Sequence, residues 1–290
     1  MTLSDEAIAR LRRLDDRPDF SGTRYELLDE IGRGGMGIVF RARDRELDRD
    51  VAVKVTAWHT ASDAERLRRE ARTLASLEHA GIVPVHDVGR LPDGRVFLVM
   101  SLVRGTRLDA HAPARERADA LRLFDRICDS VAFAHECGVI HGDLTPANIM
   151  VGRFGEVRIL DWGLAGGSEA GGTDGYRAPE QTARQFDTRA DVYALGVILG
   201  DLTGHLSPAS RPLRSIAARA TAADPDSRYP SVAELAADVR RCADGQAVLA
   251  HPETGLERTA RLARTYRAPL VLVLTYLAVR ILLLVFQRPS

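Results

Sequence analysis

The chain has 290 residues, 45% of them hydrophobic and 28% charged, enough to bury a substantial core as one large domain or two lobes. Its 40 basic residues balance 40 acidic ones, which excludes a global field that would draw it to nucleic acid or to an acidic surface. Three cysteines, Cys128, Cys137 and Cys242, lack both metal-ligand spacing and the density of a disulfide scaffold, so a reducing compartment is expected.

The N-terminus has no apolar core and does not read as a secretory signal. Residues 1–24 are an accessory lead-in, where Ile8, Leu11 and Leu14 share one face of a short helical pattern. From Tyr25 to Leu98 the text is strand-like, and one helix at about 62–77 interrupts it, which describes a small, mostly antiparallel sheet. From about 115 to 242 helical patterns dominate, broken by short strands near 148–151 and 157–160. A linker over 243–267 then carries glycine, proline and a run of arginines, before an apolar stretch at 268–286 and a tail at 287–290.

Within the first lobe, Gly32, Gly34 and Gly37 form a G-x-G-x-x-G pattern between two strand-like runs. Ile38 and Val39 follow instead of a helix, so the pattern reads as a hairpin whose backbone amides can cover phosphates. A plain glycine hairpin has the same spacing. Lys54 sits on the face of the next strand and is the sole lysine of the chain; every other basic residue is arginine. A site that needs a compact ammonium cannot accept an arginine, and a buried lysine needs an anion nearby. In the following helix Ser62 and Glu65 suit a capping box, whereas Glu70 lies on the apolar stripe with Leu67, Ala71 and Leu74. Glu70 is therefore the expected partner of Lys54.

Further on stand VIHGDLTPANIMV, DWG at 161–163, GTDGYRAPE at 172–180, DVYALG at 191–196 and DPDSRY at 224–229. In this order and spacing the chain resembles the eukaryotic-like (Hanks-type) serine/threonine protein kinases of bacteria, over roughly residues 25–242. The resemblance implies an α+β, bilobal kinase fold, with a small β-rich lobe carrying one helix and a larger helical lobe. It implies ATP and Mg²⁺ as cofactors and protein serines and threonines as acceptors. It casts Asp143 as the base for the attacking hydroxyl, Asn148 and Asp161 as metal ligands, and Lys54, held by Glu70, as the grip on the inner phosphates. Ile31, Gly32, Gly34, Gly35, Gly37 and Val39 would cover the nucleotide. Met100 would flank the adenine, with Ser101 to Val103 as the hinge. His141, Asp191, Glu180 and Arg228 take structural roles, Glu180 pairing with Arg228. Ser168 and Thr173 are the hydroxyls of the activation segment.

The chain departs from the family at Gly142 and Thr145, where an arginine and a lysine are usual, and the loss of the lysine removes a cation from where charge develops. A docking helix expected between DVYALGVILGDL and LRSIAARA has no room in TGHLSPASRP. Two readings follow: an active serine/threonine kinase, and a nucleotide-binding pseudokinase acting as a membrane scaffold. The apolar stretch 268–286 is long enough for a single transmembrane helix, and Arg258, Arg261, Arg264 and Arg267 before it orient the kinase domain toward the cytoplasm. The membrane and protein substrates are the expected partners, nucleic acid is not, and a homodimer stays open.

Overall fold

The computed structural model describes residues 18–34, 37–56, 65, 71–111, 116–162, 175–183, 187–204, 211–255, 258–259, 271–273 and 275–280. Strands β1 (Tyr25–Gly34), β2 (Gly37–Asp44), β3 (Arg49–Thr56), β4 (Val85–Arg90) and β5 (Val96–Ser101) form one five-stranded sheet in the order β1-β2-β3-β5-β4. Every neighbouring pair is antiparallel. The two-residue period of β2 explains its placement: Ile38, Phe40 and Ala42 are buried while Val39, Arg41 and Arg43 on the other face are not. That buried face meets Phe20, Tyr25, Val51, Val53, Val55, Phe97 and Val99 in a first core. Because Val51, Val53 and Val55 point into this core, Ala52, Lys54 and Thr56 occupy the opposite face of β3.

Helical periodicity builds the second lobe. Helix α1 (Arg117–Glu136) buries Leu121, Phe124, Ile127, Cys128 and Val131, an apolar stripe at three- and four-residue intervals. Helix α2 (Arg189–Gly204) runs through the middle of the lobe and buries Val192, Leu195, Ile198 and Leu199. Helices α3 (Arg211–Ala220) and α4 (Val232–Ala243) pack around it. Ser231 caps α4 by accepting the Glu234 N–H, as a serine in that position should. A small sheet of β6 (Thr106–Arg107), β7 (Ile149–Val151) and β8 (Val157–Ile159) lies at the front of this lobe. A parallel bridge from Ile82 to Ile159 joins it to the chain that leads into β4 of the first lobe.

The packing of the helical lobe runs past residue 242 into the segment read from sequence as a linker. Val248 enters the helical core, and the buried Asp238 carboxylate of α4 accepts the N–H groups of Leu249 at 2.7 Å and Ala250 at 3.0 Å. The Tyr229 hydroxyl at 2.8 Å and Arg241 at 3.2 Å complete its partners. Burial alone would raise the Asp238 carboxyl, but the Leu249 N–H, the Tyr229 hydroxyl and the Ala250 N–H hold it below its usual range. Its contribution to stability is therefore complete above the ordinary carboxylate range and lost as pH falls through the depressed value.

Among the described residues no helix is long and apolar enough to cross a membrane. Residues 271–273 and 275–280, inside the stretch read as a span, are helical and exposed; the rest of 268–286 lies outside the described residues. Asp238→Asn leaves two backbone N–H groups facing an amide in place of a carboxylate. It is expected to lower stability by about 1.5 to 3 kcal/mol, the usual scale for hydrogen bonds to a charged group, read from denaturant midpoints of the full chain.

Candidate active site

The site is assembled between the free face of β3 and the loops in front of α2. Lys54 stands in register with Val39 of β2 and Leu98 of β5, and its side chain is only 5% exposed. A buried ammonium requires an anion, and Asp161 supplies it: Lys54 Nζ donates to Asp161 Oδ1 at 2.7 Å. Glu70, the partner expected from sequence, lies outside the described residues. The backbone of Asp161 is left-handed, with φ of 57°, a conformation uncommon for a side-chain-bearing residue and typical of constrained functional positions.

The glycines close the β1–β2 hairpin as a tight turn, with Gly34 opposite Gly37 and Gly32 opposite Val39. Gly37 has φ of 147°, and a Cβ there would stand 2.1 Å from the Val55 carbonyl oxygen, so no larger residue fits between β2 and β3. Ile31, at the start of the turn, is exposed, and Gly35 lies outside the described residues. At the far side of the sheet Met100 and Ser101 end β5, and Val103 follows in the connection to the helical lobe; all three are half-buried. The Ser101 hydroxyl and His86 Nε2 lie 3.0 Å apart, which fixes the Ser101 side chain toward β4.

The catalytic-loop residues are held from beneath by one buried carboxylate. Asp191, at the start of α2, accepts the N–H of His141 at 2.8 Å, the N–H of Gly142 at 2.9 Å and His135 Nε2 at 2.8 Å. Burial would raise its carboxyl, yet these donors bring it below the usual range. Gly142 takes φ of 72°, which glycine adopts at little cost. His141 bridges onward: Nε2 lies 2.9 Å from the Leu160 carbonyl and must carry the proton, which leaves Nδ1 to accept the Asp143 N–H at 3.3 Å. The ring also lies against that of Trp162, 5.0 Å between centroids. One imidazole thus ties the segment of Asp143 to the segment of Asp161.

Asn148 ends a short 3-10 turn, Pro146–Asn148, and donates from Nδ2 to the Asp143 carbonyl at 2.8 Å. That bond commits the amide nitrogen, so the oxygen is the atom that would meet a metal. Asp161 and Asn148 are therefore two hard oxygen donors, a set that fits Mg²⁺, an ion that keeps waters and shares substrate phosphates. Burial raises the Asp143 carboxyl above its usual range; the charge of Asp161 adds to the effect, and His141, Arg177 and Lys54 oppose it.

Arg228 is fully buried and makes a two-pronged pair with Glu180, at 2.7 and 2.8 Å. It also donates to the carbonyls of Ala222, Ala223 and Arg189 and lies over the Tyr193 ring. Burial acts to raise the Glu180 carboxyl, but Arg228 outweighs it and the carboxyl sits below its usual range. Ser168 and Thr173 lie outside the described residues. Three participants were not read from sequence: His135, Arg177, and Gln181, whose Nε2 donates to the Gly142 carbonyl at 2.6 Å. His135 left only a faint signal, a polar residue near the end of an otherwise apolar helix stripe.

Comparison with known proteins agrees with this geometry. The protein kinase domain family matches residues 25–229. The serine/threonine-protein kinase PknB of Mycolicibacterium smegmatis is 35% identical over 85% of this chain and 47% of its own length. PrkC of Bacillus subtilis is 31% identical over 76% of this chain and 41% of its own. PknB of Mycobacterium tuberculosis is 33% identical over 85% of this chain and 47% of its own. The chain thus spans less than half the length of these curated relatives. Their similarity across both lobes, together with the match to the family, means that this chain belongs to the protein kinase family, on its bacterial serine/threonine branch.

Proposed function

We propose that the chain transfers the γ-phosphoryl group of ATP to serine and threonine hydroxyls of protein substrates, with its kinase domain held at the cytoplasmic face of a membrane. The observation that carries the first part is the buried Lys54–Asp161 pair, 2.7 Å apart, beside an Asp143 and Asn148 that share a bond of 2.8 Å. Phosphoryl transfer asks for positioning and charge neutralisation, and these four side chains supply both. Lys54 holds the inner phosphates, the amides of the Gly32–Gly37 turn cover them, and the hinge from Ser101 to Val103 offers backbone groups to the adenine. Asp161 and Asn148 would hold Mg²⁺, which neutralises charge on the phosphate oxygens. Asp143, raised in basicity by burial, accepts the proton of the acceptor hydroxyl. Retention of all four groups favours catalysis over a purely scaffolding role.

The membrane part rests on residues 268–286, thirteen of which are Leu, Val, Ile or Phe. At about −0.3 to −0.6 kcal/mol each, they outweigh a penalty of roughly 2.5 to 3.5 kcal/mol for Arg280 at mid-helix. Val271, Leu272, Val273, Tyr276, Leu277 and Val279 are exposed along helical residues of this stretch, an apolar surface suited to lipid. Anchoring of this kind raises the effective concentration of membrane-bound substrates.

Lys54→Met and Asp143→Asn are each expected to abolish transfer of labelled γ-phosphate to a generic serine/threonine acceptor, with thermal midpoints close to that of the unaltered chain. Ordinary turnover in either variant would sink the assignment of these residues. For the anchor, the full chain should stay with the membrane pellet after washing in alkaline carbonate. Recovery in the supernatant would count against a spanning helix.

A further inference from the structure

The loss of the usual lysine at position 145 leaves a gap in the charge around the phosphoryl group, and Thr145 is buried and uncharged. A second cation acts on the catalytic loop: the charge of Arg177 reaches the Asp143 carboxylate. Arg177 lies in the short stretch before Glu180, and its Nη2 donates to the backbone carbonyl of Gln181 at 3.3 Å. Gln181 is itself buried and clamped at both ends of its amide: Nε2 donates to the Gly142 carbonyl at 2.6 Å, and Oε1 accepts the Ala178 N–H at 2.8 Å. Gly142 is the residue before Asp143. Two consecutive bonds therefore tether the Arg177 guanidinium to the catalytic loop. Among the described residues Arg177 forms no ion pair, so most of its five N–H donors are uncommitted, and its charge acts on the Asp143 carboxylate together with that of Lys54.

Resting on the phosphotransfer reading above, we infer that Arg177 is a further catalytic residue: tethered through Gln181, its guanidinium contacts the phosphoryl group in transit and supplies the cation that Thr145 lacks. The acceptor oxygen forms a bond to the γ-phosphorus as the bond to the β,γ-bridging oxygen breaks. The hydroxyl proton goes to Asp143, and ADP leaves with the bridging oxygen. Negative charge on the equatorial oxygens is then stabilised by Lys54 and by Arg177. An arginine suits this position because its planar fork can hold the Gln181 carbonyl with one edge and a phosphate with another.

Complementation in the full chain tests the inference. Arg177→Met should lower kcat by about 10- to 100-fold, on the scale of losing one transition-state donor, with the KM for acceptor peptide little changed. Thr145→Lys placed in the Arg177→Met background should restore most of the loss, while Thr145→Lys alone gains little. A purely structural arginine would not be rescued from position 145. A second arm needs no turnover: by calorimetry, Arg177→Met should reduce the preference for a non-hydrolysable ATP analogue over ADP about tenfold while ADP affinity holds. Unchanged kcat and unchanged preference in Arg177→Met, or a loss that Thr145→Lys fails to restore, would overturn the role. An unaltered chain that turns over no ATP refutes the phosphotransfer reading instead, and the nucleotide preference then decides on Arg177 by itself.

Discussion

The arrangement of the active site depends on one buried carboxylate. Asp191 sits at the start of α2 with its side chain almost wholly removed from water, a placement that costs several kcal/mol for an isolated ion. Donors from His135, His141 and Gly142 compensate it, and two of the three are backbone N–H groups of the catalytic loop. The carboxylate therefore cannot be satisfied unless that loop lies where it does. Because α2 is itself buried by Val192, Leu195, Ile198 and Leu199, the loop inherits the rigidity of the helical core.

From that anchor the constraint spreads in both directions. His141 hands it to the Leu160 carbonyl, one residue before Asp161, and Asp161 hands it to Lys54 across the two lobes. The register of β3 then decides where Lys54 can stand, because Val53 and Val55 on either side are committed to the core of the sheet. On the other side Gln181 joins the Gly142 carbonyl to the chain before Glu180, and Glu180 is locked by Arg228. Each link joins segments far apart in sequence, so the site exists only in the folded chain.

What the sequence could tell follows from what kind of signal each residue leaves. Lys54 was legible because a single lysine among so many arginines is a chemical choice, and Gly37 because only glycine tolerates its conformation and its distance from β3. The bilobal division was legible from a change of period, two along β2 and between three and four along α1. Gln181, His135 and Asp238 were not, because a side chain that bonds across the fold, to backbone groups or to a buried carboxylate, leaves no periodicity and needs no particular neighbour in sequence. The same reasoning explains the segment after α4: its glycine and proline suggest a linker, and only the contact of Leu249 and Ala250 with Asp238 reveals that it is docked.

The claim that a buried carboxylate fixes the catalytic loop can be tested by amide hydrogen exchange at His141 and Gly142. The account predicts that both amides exchange as slowly as the core of α2, and that Asp191→Asn accelerates both selectively while the amides of the five-stranded sheet keep their protection. Rapid exchange of His141 and Gly142 in the unaltered chain, at rates of an exposed loop, would contradict it.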